Sequence, residues 1–117
     1  MAGTGGVERA YVPLASGPAA VNVAVQVKVP QRGGARIQIG FLTASYSGAP
    51  AGGRLTVSDG DVPELDLDIT AAGPQLIPVP EGGLTFQPGQ AVTASLTAGG
   101  AAVVGKISLG YRYLYDR

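Results

Sequence analysis

The stretch AVNVAVQVKVP, residues 20–30, decides the fold class. An extended chain turns successive side chains to opposite faces, so Val21, Val23, Val25, Val27 and Val29 share one face while Asn22, Gln26 and Lys28 share the other. β-Branched residues suit a pleated, half-buried surface. Pro30, which has no N–H for a ladder, ends the run.

The same period recurs on both sides of it. ARIQIGFLTASY (35–46) sets Ile37, Ile39 and Phe41 against Arg36 and Gln38, and the QRGG turn (31–34) predicts an antiparallel hairpin with the valine strand. In RLTVSD (54–59) Leu55 and Val57 point together, and in ELDLDIT (64–70) Leu65, Leu67 and Ile69 alternate with Glu64, Asp66 and Asp68. QLIPVP (75–80) carries Pro78 and reads as an edge strand, and LTFQPGQ (84–90) holds a short strand before a Pro88-Gly89 turn. The chain closes on two alternating strands, for which a hairpin loop is expected between Ala98 and Ala101. Upstream, Tyr11 and Val12 fit a short strand that Pro13 interrupts, followed by the turn ASGPA (15–19).

Short strands with turn signals every ~8–12 residues, and no apolar period near 3.6, predict an all-β chain. The expected architecture is a single antiparallel β-sandwich, jelly-roll-like or Greek-key. The expected division is a flexible N-terminal arm over residues 1–7, whose MAGTGG has little to bury, and one domain over 8–117.

Composition removes whole classes of function. There is no histidine and no cysteine, which excludes Ser-His and Cys-His nucleophilic centres and His/Cys zinc sites. The Gly-rich AGGAAVVGK (98–106) ends in Lys106-Ile107 where a P-loop needs Ser or Thr after the lysine, so no nucleotide site is expected. An enzyme is not expected, and no cofactor. Eight basic and eight acidic residues balance to zero, without the basic stripe that nucleic acid requires. No apolar run approaches the ~20 residues of a membrane helix, and the N-terminus lacks the pattern of a secretory signal. A surface with only 14% charged residues favours association, so part of it is expected to be covered in use.

Two clusters stand out. SDGDVPELDLD (58–68) places Asp59, Asp61 and Glu64 where a calcium loop could draw oxygen ligands, but Val62 and Pro63 break the EF-hand spacing. A turn followed by a solvated acidic strand face accounts for the same letters. Like charges on one face call for cross-strand cations, and Lys28, Arg36 and Arg54 are the candidates, from the same subunit or from another copy. The second cluster is GKISLGYRYLYDR (105–117), where Tyr111, Tyr113 and Tyr115 continue the face of Ile107 and Leu109. Tyrosine has an apolar body and a hydroxyl that seeks a partner, which suits a boundary between core and interface, and Tyr and Arg are favoured hot-spot residues. Tyr11, Tyr111, Arg112, Tyr113 and Tyr115 are therefore the candidate protein-contact residues.

The run PVPEGGLTFQPGQAVTASLTAGGAAVVGKISLGYRY (78–113) resembles the closing portion of small β-sandwich virion proteins of tailed bacteriophages, with its spaced Pro-Gly, Val-Thr-x-Ser-Leu, Ala-Gly-Gly and Val-x-Gly-Lys-Ile. The resemblance implies a capsid decoration or cement protein: made in the host cytoplasm, often trimeric, and bound to the major capsid protein on the capsid exterior, where it fastens neighbouring capsomers. Two other readings remain open. One is a carbohydrate- or calcium-binding sandwich of a tail fibre or surface protein, which needs an aromatic platform on an exposed strand face. The other is a tail or head-completion protein of the same particle.

Overall fold

The computed structural model describes residues 11–16, 20–60, 62–80 and 83–115. The expected arm (1–7) and Asp61 lie outside them. Nine strands follow one another: β1 Val12–Ala15, β2 Val25–Val29, β3 Ala35–Tyr46, β4 Arg54–Asp59, β5 Val62–Asp68, β6 Gly73–Leu76, β7 Leu84–Thr85, β8 Val92–Leu96 and β9 Gly105–Tyr115. They form two antiparallel sheets, and the described residues contain no helix. Sheet I has the order β1-β9-β3-β6, with β7 sharing the β6 edge of β3, and sheet II has the order β2-β8-β4-β5.

Four of the antiparallel pairs are nested in sequence: β4–β5, β3–β6, β2–β8 and β1–β9. The chain is thus one long ribbon folded back at the β4–β5 turn and rolled so that successive pairs fall in alternate sheets. That is a jelly roll, with the small β7 added. Rolling brings β9 against β3 along eleven residue pairs and β8 against β4 along five.

The apolar face of every strand points between the sheets. Ile37, Ile39, Leu42, Leu55, Leu96 and Leu109 are fully or almost fully buried there. Ile69, Ile77, Phe86 and Val103 cap this core from the connections. At one end Tyr46 is wholly buried, and its hydroxyl donates to the Thr97 carbonyl at 2.8 Å. The hydroxyl's desolvation is offset there, which lets a core of mostly small aliphatic residues carry a full-sized ring.

Four expectations change. The valine strand and β3 are no hairpin: β2 pairs with β8 in sheet II, β3 belongs to sheet I, and residues 30–34 arch between them. The closing strands are likewise split, β8 in sheet II and β9 in sheet I, so residues 97–104 cross the sandwich end. The valine strand is also shorter than its alternation. Asn22 takes a left-handed φ of 52°, which asparagine tolerates better than β-branched residues, and Val21 and Val23 are left exposed. Pro13 sits inside β1 rather than ending it, because β1 is the edge of sheet I. The turn ahead of β5 and the edge position of the strand at Gln75 and Leu76 stand as expected, with Pro78 just beyond it.

Candidate protein interface

The outer face of sheet I is where the first set of side chains meets. Gly40 is an extra residue in β3, a bulge between Ile39 and Phe41 in the register with β9. The extra residue reverses the alternation after it. Leu42, rather than Phe41, turns inward, and Phe41 lies on the outer face with 40% of its surface exposed. This corrects the placement of Phe41 with Ile37 and Ile39, whose regular alternation takes no account of a bulge.

Two rings lie on this face over backbone without side chains. Phe41 covers Gly110, its cross-strand partner, and Tyr11 covers Gly40; a Cβ on either glycine would fall within the ring above it. Beside them Gln38 is outward-facing yet only 7% exposed, tied in by partners on β7, on β9 and at the residue before β1. Its Oε1 accepts from the Tyr11 hydroxyl at 3.1 Å and from Arg112 Nε at 2.6 Å, and its Nε2 donates to Thr85 Oγ1 at 3.0 Å. The Arg112 guanidinium stands 4.5 Å from the Tyr11 ring centroid, in the range of a cation–π contact. The strongly exposed Leu76 of β6 adds apolar surface on the same side, in the row of Thr43.

The other tyrosines sit on the opposite side of β9. Tyr111 and Tyr113 extend the inward face and pack on the core margin, their rings edge to face at 5.8 Å and 85°. Tyr113 fills the space beneath the 30–34 arch. Its hydroxyl donates to the Pro30 carbonyl at 2.6 Å, and the Arg32 guanidinium lies 4.2 Å from its ring centroid. Burial pushes the Tyr113 hydroxyl above the usual tyrosine value, with Arg32 opposing. Arg32 is raised in turn, first by its hydrogen bond with Tyr115. Tyr115 itself is 54% exposed. The five contact candidates thus divide: Tyr11 and Arg112 come together on the outer face, while Tyr111 and Tyr113 support the arch and Tyr115 stands at its margin.

The acidic letters are not gathered. Asp59 occupies an inward row of sheet II, level with Val92, and is 7% exposed, with no hydrogen-bond partner for Oδ1 among the described residues. Glu64 is exposed at a bulge in edge strand β5, and Asp61 lies outside the described residues. Among the described residues no three acidic side chains come close enough to hold a metal ion. Asp66 and Asp68 face outward, and Arg54 forks onto Asp66 at 2.8 and 2.6 Å. That guanidinium holds the Asp66 carboxyl below its usual value.

Sequence reasoning missed Gln38, Phe41 and Thr85. The available signal was glycine inside two long alternating strands, at Gly40 and Gly110, since glycine in a strand interior marks a bulge or a close approach. Compared with known proteins, the chain matches no family model, and no curated protein is significantly similar to it in sequence.

Proposed function

We propose that this chain is a non-enzymatic structural protein of a phage particle, a decoration protein that binds the outer surface of the capsid through the outer face of sheet I and stabilises capsomer junctions. The observation that carries the reading is the fixed set of Tyr11, Arg112 and Gln38 beside the exposed ring of Phe41. Tyrosine and arginine already held by a buried amide lose little freedom on binding, so more of their contact energy appears as affinity. The jelly roll, an architecture of viral capsid domains among others, and the resemblance over residues 78–113 are compatible with it, although a fold alone does not assign a function. A capsid repeats its surface many times, and even modest contacts then add up when the bound copies touch one another.

One observation favours a second reading. Phe41 lies over Gly110 on an outer strand face and keeps 40% of its surface exposed, and an exposed ring on a strand face is what a carbohydrate platform needs; jelly rolls also include lectins.

The test is co-sedimentation with purified capsids, comparing the native chain with Phe41→Ser. Saturable binding that weakens by ~30-fold in the variant, a hot-spot loss of about 2 kcal/mol, is expected. Absence of binding, or binding indifferent to Phe41, overturns the capsid reading. Phe41 NMR shifts on adding oligosaccharide, without capsid binding, establish the second one.

A further inference from the structure

We infer that copies of this chain associate head to tail through the two edges of sheet II, the β5 edge of one copy receiving the β2 edge of the next. The inference is independent of the docking face on sheet I and starts from the cations expected beside the acidic strand. Arg54 meets that expectation within the subunit by pairing with Asp66. Arg36 lies in the other sheet. Lys28 is in the right sheet, on its outer face, but on the far edge strand with β8 and β4 between it and the acids. Within one copy it cannot reach them; on a neighbour it can.

The geometry of the sheet makes the junction regular. Strand direction alternates across β2-β8-β4-β5, so a second copy continuing the sheet sets its β2 antiparallel to β5. The cross-strand rows are aligned. Lys28, Thr93, Ser58 and Pro63 share one row, and Gln26, Ser95, Thr56 and Asp66 another. In a level continuation the neighbour's Lys28 arrives beside Glu64, the bulge residue next to Pro63, and its Gln26 arrives opposite Asp66. Inward rows continue as well: Val25 and Val27 extend the rows of Leu67 and Leu65, all three of Val25, Leu65 and Leu67 being only partly buried within one copy. The added strand covers them while its ladder joins two edges that no described strand pairs.

The charges also choose between pairings. Two β5 edges would oppose Glu64, Asp66 and Asp68 with one another, which is repulsive, whereas β5 against β2 pairs acid with lysine. Sheet I offers poorer edges: the four-residue β1 and β6 each carry a proline, Pro13 and Pro74, whereas in the seven-residue β5 Pro63 lies at the tip beyond the bulge and leaves Glu64–Asp68 clear. Because the two contact surfaces differ, the contact is heterologous, and it closes into a ring or extends according to the rotation between copies.

The test is the mass in solution by light scattering, against concentration and NaCl, for the native chain, Lys28→Glu, Glu64→Lys and the equimolar mixture of the two variants. Both side chains are exposed, and circular dichroism verifies that each variant folds. The native chain is expected to form multiples of 11.7 kDa. Each single variant is expected to lose at least tenfold in association. The mixture is expected to regain it with the two variants alternating, in even copy numbers where the assembly closes into a ring, because only unlike neighbours then carry opposite charges at each junction. A native chain that stays monomeric at all concentrations overturns the inference, as does an oligomer indifferent to both variants. Neither result bears on capsid binding, which is read through Phe41 on the other sheet.

Discussion

The two outer faces of this sandwich are made of strands with the same alternation and carry different surfaces. On sheet II the outward rows are Lys28, Thr93 and Ser58, then Gln26, Ser95 and Thr56, with Arg54 and Asp66 alongside. Short hydroxyls and solvated charges of this kind need only water. On sheet I the outward rows hold Gln38 and Arg112, Phe41 over Gly110, and Tyr11 over Gly40. Two glycines in strand interiors weaken those strands, and a bulge interrupts their register. The contrast teaches that one face is finished by solvent, while the other is built at some cost in strand stability to hold two rings and a guanidinium in place.

Two glutamines make the sharpest test of that contrast, and the largest effect. Gln38 is buried among three partners, and Gln26 makes one exposed hydrogen bond to Ser95 at 3.1 Å. Gln38→Leu strips the acceptor from Tyr11 and Arg112 and is expected to cost ~1–3 kcal/mol in urea unfolding, against less than ~0.5 kcal/mol for Gln26→Leu. Equal losses would mean that the two faces are held alike.

Gly110→Ala comes next. The new Cβ meets the Phe41 ring, which must swing away from the sheet, at an expected ~1 kcal/mol. Because the ring's seat is then already lost, Phe41→Ala in the Gly110→Ala background should cost less than it does alone, and full additivity in the double-mutant cycle would separate the two residues.

The smallest effect belongs to sheet II. Arg54, first by its hydrogen bonds and then by its charge, lowers the Asp66 carboxyl, so the folded chain binds that proton less readily than the unfolded chain. The resulting stabilisation is present above the ordinary aspartate range near ~4 and is lost as pH falls through the lowered folded value. Both groups are exposed, and solvent keeps the contribution small. The native chain should therefore exceed Asp66→Asn slightly in urea midpoint at pH 7, with the margin shrinking steadily as pH is lowered below the ordinary aspartate range. A margin that persists in acid would assign it to something other than the ion pair.

The candidate site was legible in part. Tyr11 and Arg112, singled out by residue type, do meet, ring against guanidinium, but what holds them is their shared acceptor Gln38, which looks in the sequence like any wet-face glutamine. Tyr111 and Tyr113, chosen by the same criterion, keep the face of Ile107 and Leu109 as the unbroken alternation of β9 predicts, and so pack on the core margin rather than on the outer face. Of the acidic residues, Asp59 and Glu64 are two of the three that the turn brings close in sequence. They sit on neighbouring strands on either side of that turn, Asp59 inward at the end of β4 and Glu64 exposed in the bulge of edge strand β5.

By itself the sequence determined the all-β class, the turn at the β4–β5 tip and most of the buried set, from the Val25–Val29 run to Leu55, Val57, Ile107 and Leu109. Inward and outward facing is a local property of an extended backbone, and alternation records it directly. The empty inventory of His and Cys was equally plain. Only the tertiary structure decided that residues 30–34 and 97–104 are arches rather than hairpins, because the strands of both sheets bury the same kind of face and periodicity does not say which sheet a strand joins. The Gly40 bulge was decided there as well. A glycine inside the strand marks where a bulge can form, but the slip itself is set against the partner strand, which lies some seventy residues further along the chain.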